Sequence, residues 1–158
     1  IFVVAEPTFP SASEFMSGLQ AKKIIVPIDF SDFSMQAVDR ALEIASDDSV
    51  IRVVHVLLPL SVMEPGVLYG EITDETRIET TVKHLRERFA DAKYAKVTSH
   101  AMIGDPGHEI TGFAESEKAD LIVMPSHGHG FFKHLMLGSV AERVVRMSHC
   151  PVLVLKAK

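Results

Sequence analysis

Five short runs of mostly β-branched and apolar residues recur along the chain: KIIVPI (23–28), VIRVVHVL (50–57), VTSHAMI (97–103), DLIVMP (120–125) and PVLVL (151–155). Each is separated from the next by residues that hold a helical stripe or a helix-start signal. Strands joined by helices run parallel, and three of the runs are almost continuously apolar, as strands covered on both faces should be. The pattern therefore predicts an α/β fold, a single three-layer domain with a five-stranded parallel sheet and helices on both faces. A chain of 158 residues is long enough for one such core and too short for two.

The stripes between the runs place the helices. Val38, Ala41, Leu42 and Ala45 fall at i, i+3, i+4 and i+7, and Ile78, Val82, Leu85 and Phe89 hold a similar face. A third helix is expected from Asp105-Pro106, where Asp caps and Pro suits the first helical position, with Ile110, Phe113 and Ala114 facing one way. A fourth follows Gly138-Ser139, with Ala141, Val144, Val145 and Ser148 on one side. The segment LPLSVMEPGVLYGEI (58–72) has no clear period and reads as a long connection that can lie over a site or a partner. Residues 1–15, with two prolines, no basic residue and no sustained period, read as a non-native leader or a disordered extension. The domain then occupies 16–158, from Met16 onward. Ile1–Ala5 is far too short for a membrane span of about 20 residues and lacks the basic flank of a signal peptide.

Charge and cysteine usage exclude several roles. Lys and Arg total 16 against 21 Asp and Glu, a net −5, so no broad basic field exists for nucleic acid or for an anionic membrane. The single cysteine, Cys150, cannot form an internal disulfide, and a cytoplasmic location is expected.

Ligands of open α/β sheets bind beyond the carboxyl ends of the strands, where the connections diverge to opposite faces. Asp29 closes the first run, Gly104 closes the third, and MPSHGHGFFKHLMLGSV (124–140) follows the fourth, so a mononucleotide would fit along this edge. Asp29 has two readings: an acceptor for a ribose hydroxyl or base amine, or a capping residue of the Asp-Phe-Ser-Asp turn. Ser139 also has two. It opens a helix whose unpaired N–H groups suit a phosphate, or it caps its own helix in a Ser139-Val140-Ala141-Glu142 capping box. His127, His129, His134, His149 and Cys150 lack the paired short spacings of a zinc site, and no metal ligand is assigned. No G-x-S-x-G elbow and no G-x-x-x-x-G-K-[ST] loop occurs, and no catalytic residue is assigned.

These residues resemble the universal stress protein family, whose signature after the fourth strand is G-x-x-G, nine residues, then G-S or G-T. Gly128, Gly138 and Ser139 fall into register with it, and Pro125 stands where the first glycine would be. The resemblance extends through KKIIVPIDFSDFSMQAVDRALEIA, GDPGHEI, ADLIVMPSHG, LMLGSVAERVV and CPVLVLK, most of residues 22–156. It implies strand order 3-2-1-4-5, a homodimer through the fifth strand, and ATP at the carboxyl ends of the first and fourth strands. Carried onto this chain, Val26 and Pro27 line the adenine side with Asp29, and Val56, Met102 and Gly104 continue it. Gly128, Gly130, Gly138, Ser139 and Val140 surround the phosphates, with Mg2+ or Mn2+ held mainly by the phosphates themselves. The implied role is a dimeric stress-response sensor or signalling module with an unidentified protein partner. The alternatives are a nucleotide-free dimeric scaffold, and an enzyme limited to slow ATP hydrolysis or autophosphorylation. Pro125 offers no N–H, so binding weakened by one hydrogen bond, about 0.5–1.5 kcal/mol, is expected.

Overall fold

A computed structural model describes residues 2–4, 21–60, 72–126 and 137–156. Its strands are β1 (Phe2–Val4), β2 (Lys23–Pro27), β3 (Val50–Leu57), β4 (Val97–Ile103), β5 (Leu121–Pro125) and β6 (Val152–Leu155). They form one sheet in the order β1-β6-β5-β2-β3-β4, with every neighbouring pair parallel. The five runs of the sequence thus take the expected order 3-2-1-4-5. The addition is β1, which lies beside β6 with Phe2 opposite Val152 and Val4 opposite Val154. Three residues are too few to show an alternation, so this pairing left no mark in the sequence pattern.

Among the described residues four α-helices connect the strands: α1 (Asp32–Ile44), α2 (Asp74–Arg88), α3 (Pro106–Ser116) and α4 (Ser139–Met147). Three begin on side-chain caps that satisfy otherwise unpaired first-turn N–H groups. Ser31 Oγ accepts from the Ser34 N–H, Thr73 and Thr76 cap reciprocally, and Asp105 Oδ1 accepts from the His108 N–H at 3.1 Å. The fourth differs from the capping-box expectation. Gly138, not Ser139, is the N-cap of α4, Ser139 is already helical, and no side chain caps this end.

Two apolar layers flank the sheet. On one face Ala37, Val38 and Ala41 of α1 and Leu85 of α2 meet Ile24, Val26, Ile51, Val53 and Val123. On the other, Ile110 and Ala114 of α3 and Ala141 and Val144 of α4 meet Ile25, Val54, Ile122 and Met124. Alternate residues of β2 and β5 feed opposite layers, so both strands are covered on both sides. This accounts for their unbroken apolar character. Each such Ile or Val, removed wholly from water, contributes about 1.5–3 kcal/mol before chain entropy is set against it. From β2 the chain steps outward through β3 to β4 with α1 and α2 on one face. It then returns to β5 and β6 with α3 and α4 on the other, and the direction reverses between β2 and β5.

Candidate functional site

The β2–β5 ladder ends early. Ile24 pairs with Leu121 and Ile25 with Ile122, yet β2 runs on to Pro27 beside Val54 of β3, and β5 runs on to Pro125 beside Leu155 of β6. Each strand follows its other neighbour, and a crevice opens between them at the point where strand order reverses. A cavity of about 440 Å³ fills it, within the range that takes a small organic ligand. Pro27, Ile28, Val54 and Val56 make an apolar wall; Met124, Pro125 and Ser126 stand opposite. The start of α4, from Gly138 to Ala141, and Pro106 and Ile110 of α3 add to the lining, which Asp29, Ser34 and His55 complete.

Asp29 sits at the rim where β2 gives way to α1. Its Oδ1 accepts from the Ser31 N–H at 3.1 Å and from the Ser31 hydroxyl, while its own N–H reaches Ser34 Oγ at 3.3 Å. Ser31 in turn caps α1. The carboxylate therefore braces the turn through Ser31, the residue that caps α1 in place of Asp29, and it also lines the cavity.

The end of α4 is the anion-attracting part of the lining. First-turn N–H groups have no intrahelical acceptor, the helix dipole adds roughly half a positive charge, and among the described residues no side chain caps this end. Gly138 is itself fixed, since its N–H donates to the Ser126 carbonyl at 2.8 Å. That bond ties the end of β5 to the start of α4.

Pro125 is placed where its missing N–H costs the sheet nothing. Ile122 and Ser126 donate N–H groups to Pro151 and Leu155, which assigns the even-numbered residues of β5 to the β6 side. The nitrogen of Pro125 faces the β2 side, beyond the last ladder pair. A glycine there would present an N–H to the crevice; proline presents none.

His55 lines the cavity, and its Nδ1 lies 2.8 Å from the Ile28 carbonyl. A carbonyl only accepts, so Nδ1 carries the proton and Nε2 of the neutral ring is an acceptor. The Phe30 ring lies 4.7 Å from the imidazole, on a residue held at φ 63° and still 40% exposed. An exposed ring on a left-handed backbone is a costly arrangement for a non-glycine residue, of order 1–3 kcal/mol. Sequence reasoning gave His55 only a strand role and passed over Phe30. The available signal was their position, one beside Val56 and one directly after Asp29.

Behind the lining, Asp105 at the cap of α3 is ion-paired with Arg143 of α4. Arg143 lies across Gly107, where an added Cβ would come within 2.3 Å of its side chain. The Arg143 guanidinium, and then the His108 N–H, hold the Asp105 carboxyl below its ordinary value. A depressed carboxylate contributes stability above its unfolded pKa, and that contribution is lost as pH falls through the lower folded value. In Arg143→Ala, the Asp105 carboxyl resonance is expected to titrate closer to the ordinary 3.8. An unchanged NMR titration curve would show that the pair does not form in solution.

Of the residues expected at the site, Pro27, Asp29, Val56, Gly138, Ser139 and Val140 line this one cavity. Val26 is fully buried in the α1–α2 layer, and Met102 packs against the α3–α4 layer. Gly104 closes β4 with its N–H on the Leu57 carbonyl at 3.0 Å. An added Cβ at Gly104 would come within 2.4 Å of the Glu109 carboxylate. None of these three lies in the lining. Gly128 and Gly130 lie outside the described residues, as do His127, His129 and His134. Among the described residues no group of three metal-ligating side chains converges, and no helix is long and apolar enough to cross a membrane.

Residues 20–156 match the model of the universal stress protein family. Universal stress protein MJ0531 of Methanocaldococcus jannaschii is 37% identical over 139 residues, covering 85% of this chain and 82% of that one. The solved structure of MJ0577, from the same organism, superposes with a TM-score of 0.71 at 29% identity over 88% of this chain and 98% of that one. A universal stress protein solved in complex with cAMP gives a TM-score of 0.62 at 26% identity, covering 85% and 97%.

Proposed function

Since this chain belongs to the universal stress protein family, we propose that it binds an adenine nucleotide, ATP in the first instance, in the crevice between β2 and β5. The observation that carries this reading is the early end of the β2–β5 ladder, which opens an apolar slot directly in front of the uncapped start of α4. A base fits the slot between Pro27, Ile28, Val54 and Val56, and phosphates fit the helix start. The cAMP complex of a relative supports an adenine ligand. No Lys or Arg stands among the described lining residues. The charge of the phosphates is then met by backbone N–H groups, with Mg2+ or Mn2+ arriving on the nucleotide.

Nothing in the described lining is arranged for efficient phosphoryl transfer: it contains no arginine finger, and Asp29 is engaged with its own turn. The protein acts as a binding module, a cytoplasmic stress-response sensor in which nucleotide occupancy selects partners, and two copies associate through the β6 edge. Isothermal titration of the purified chain with ATP, and separately with cAMP, tests the ligand. One-to-one saturable binding is expected, weakened in Gly138→Ala. Absence of saturable binding at millimolar ATP and cAMP would leave the scaffold reading in its place.

A further inference from the structure

We propose that Phe2–Val4 is a displaceable cap, formed within the chain, on the edge through which two copies associate, so that self-association requires this strand to leave. The inference rests on the self-association part of the function proposed above and is independent of nucleotide binding.

The argument begins with β6. One side of this strand pairs with β5 from Ile122↔Val152 to Pro125↔Leu155, and the other pairs with β1 from Phe2↔Val152 to Val4↔Val154. Without β1, the second side is a row of unpaired backbone donors and acceptors. Its sequence is Val152-Leu153-Val154-Leu155, with no charge and no proline to blunt it. An edge of this composition pairs with whatever strand is available.

The two occupants exclude each other. A pair of identical chains related by a two-fold axis meets through the same surface on both, which sets one β6 antiparallel to the other. β1 is parallel to β6 and uses the same outward groups. The cap is also weak by construction, since three residues contribute only a few backbone hydrogen bonds, each worth about 1 kcal/mol net. Its advantage is covalent attachment. A tethered segment competes at an effective concentration on the order of millimolar, so a short strand holds the edge against a second chain at micromolar concentration.

Sedimentation velocity over a micromolar concentration series, comparing the full chain with one lacking residues 1–5, tests the proposal. The shortened chain is expected to dimerise at least about tenfold more tightly, as follows from removing a tethered competitor. A second variant keeps every residue: Val3→Cys with Leu153→Cys in a Cys150→Ala background, two positions that share one register. Oxidised, it should remain monomeric at all concentrations, and reduction should restore weak dimerisation. Equal dimerisation of full and shortened chains would overturn the cap while leaving the β6 interface standing. Two monomers would overturn the interface as well, and a disulfide formed between chains would show that the strand is exchanged rather than folded back.

Discussion

Ile122→Ala is expected to lower folding stability by about 2–5 kcal/mol, read as a fall in the urea midpoint with an unchanged slope. Ile122 is fully buried, on a strand covered on both faces, among Ile25, Val54, Ile110 and Val144. Removing three carbons there loses their transfer energy and leaves a void that a parallel ladder on either side cannot close. Ile122→Val removes one carbon and should cost only about 0.5–1.5 kcal/mol. The position also bears on the site, because Ile25↔Ile122 is the last pair of the β2–β5 ladder before the two strands part. Nucleotide affinity should therefore fall with stability in the alanine variant. A loss below 1 kcal/mol would mean that the two layers are less tightly joined through β5 than the burial implies.

The same feature explains how much of the fold was legible in advance. β2 and β5 are buried on both faces, so their sequences carry unbroken apolar runs, and β-branched residues mark them as strands. The helix stripes were equally readable: Val38 and Ala41, and Leu85 with Phe89, are buried where their spacing put them. What was not legible depends on partners distant in sequence. β1 exists through its pairing with β6, and nothing in Phe2-Val3-Val4 itself states that. The cap of α4 moved by one residue because Gly138 is fixed by the Ser126 carbonyl, a contact between two chain segments that leaves Ser139 free to enter the helix. Val26 directly precedes the lining residue Pro27, and the pleat turns it into the core. His55 was hidden for the opposite reason. Within the run VIRVVHVL it reads as an ordinary strand residue, and only the register places it at the carboxyl end, beside the Ile28 carbonyl.

Pro125→Gly is expected to move affinity and stability in opposite directions. The nitrogen of residue 125 faces the crevice past the end of the β2–β5 ladder, so glycine would supply an N–H to a ligand without altering the pairing to β6. One added neutral hydrogen bond is worth about 0.5–1.5 kcal/mol, up to roughly tenfold in the dissociation constant. Stability should fall at the same time. Replacing the most restricted residue by the least restricted one enlarges the unfolded ensemble, at roughly 1–2 kcal/mol when the proline and glycine effects are added. Titration calorimetry with ATP and urea denaturation of the same preparations separate the two. Tighter binding with lower stability is the signature of a residue that trades a ligand contact for a rigid strand end. Unchanged affinity with lower stability would show that the ligand does not use this position, and the phosphate contacts would then rest on the start of α4 alone.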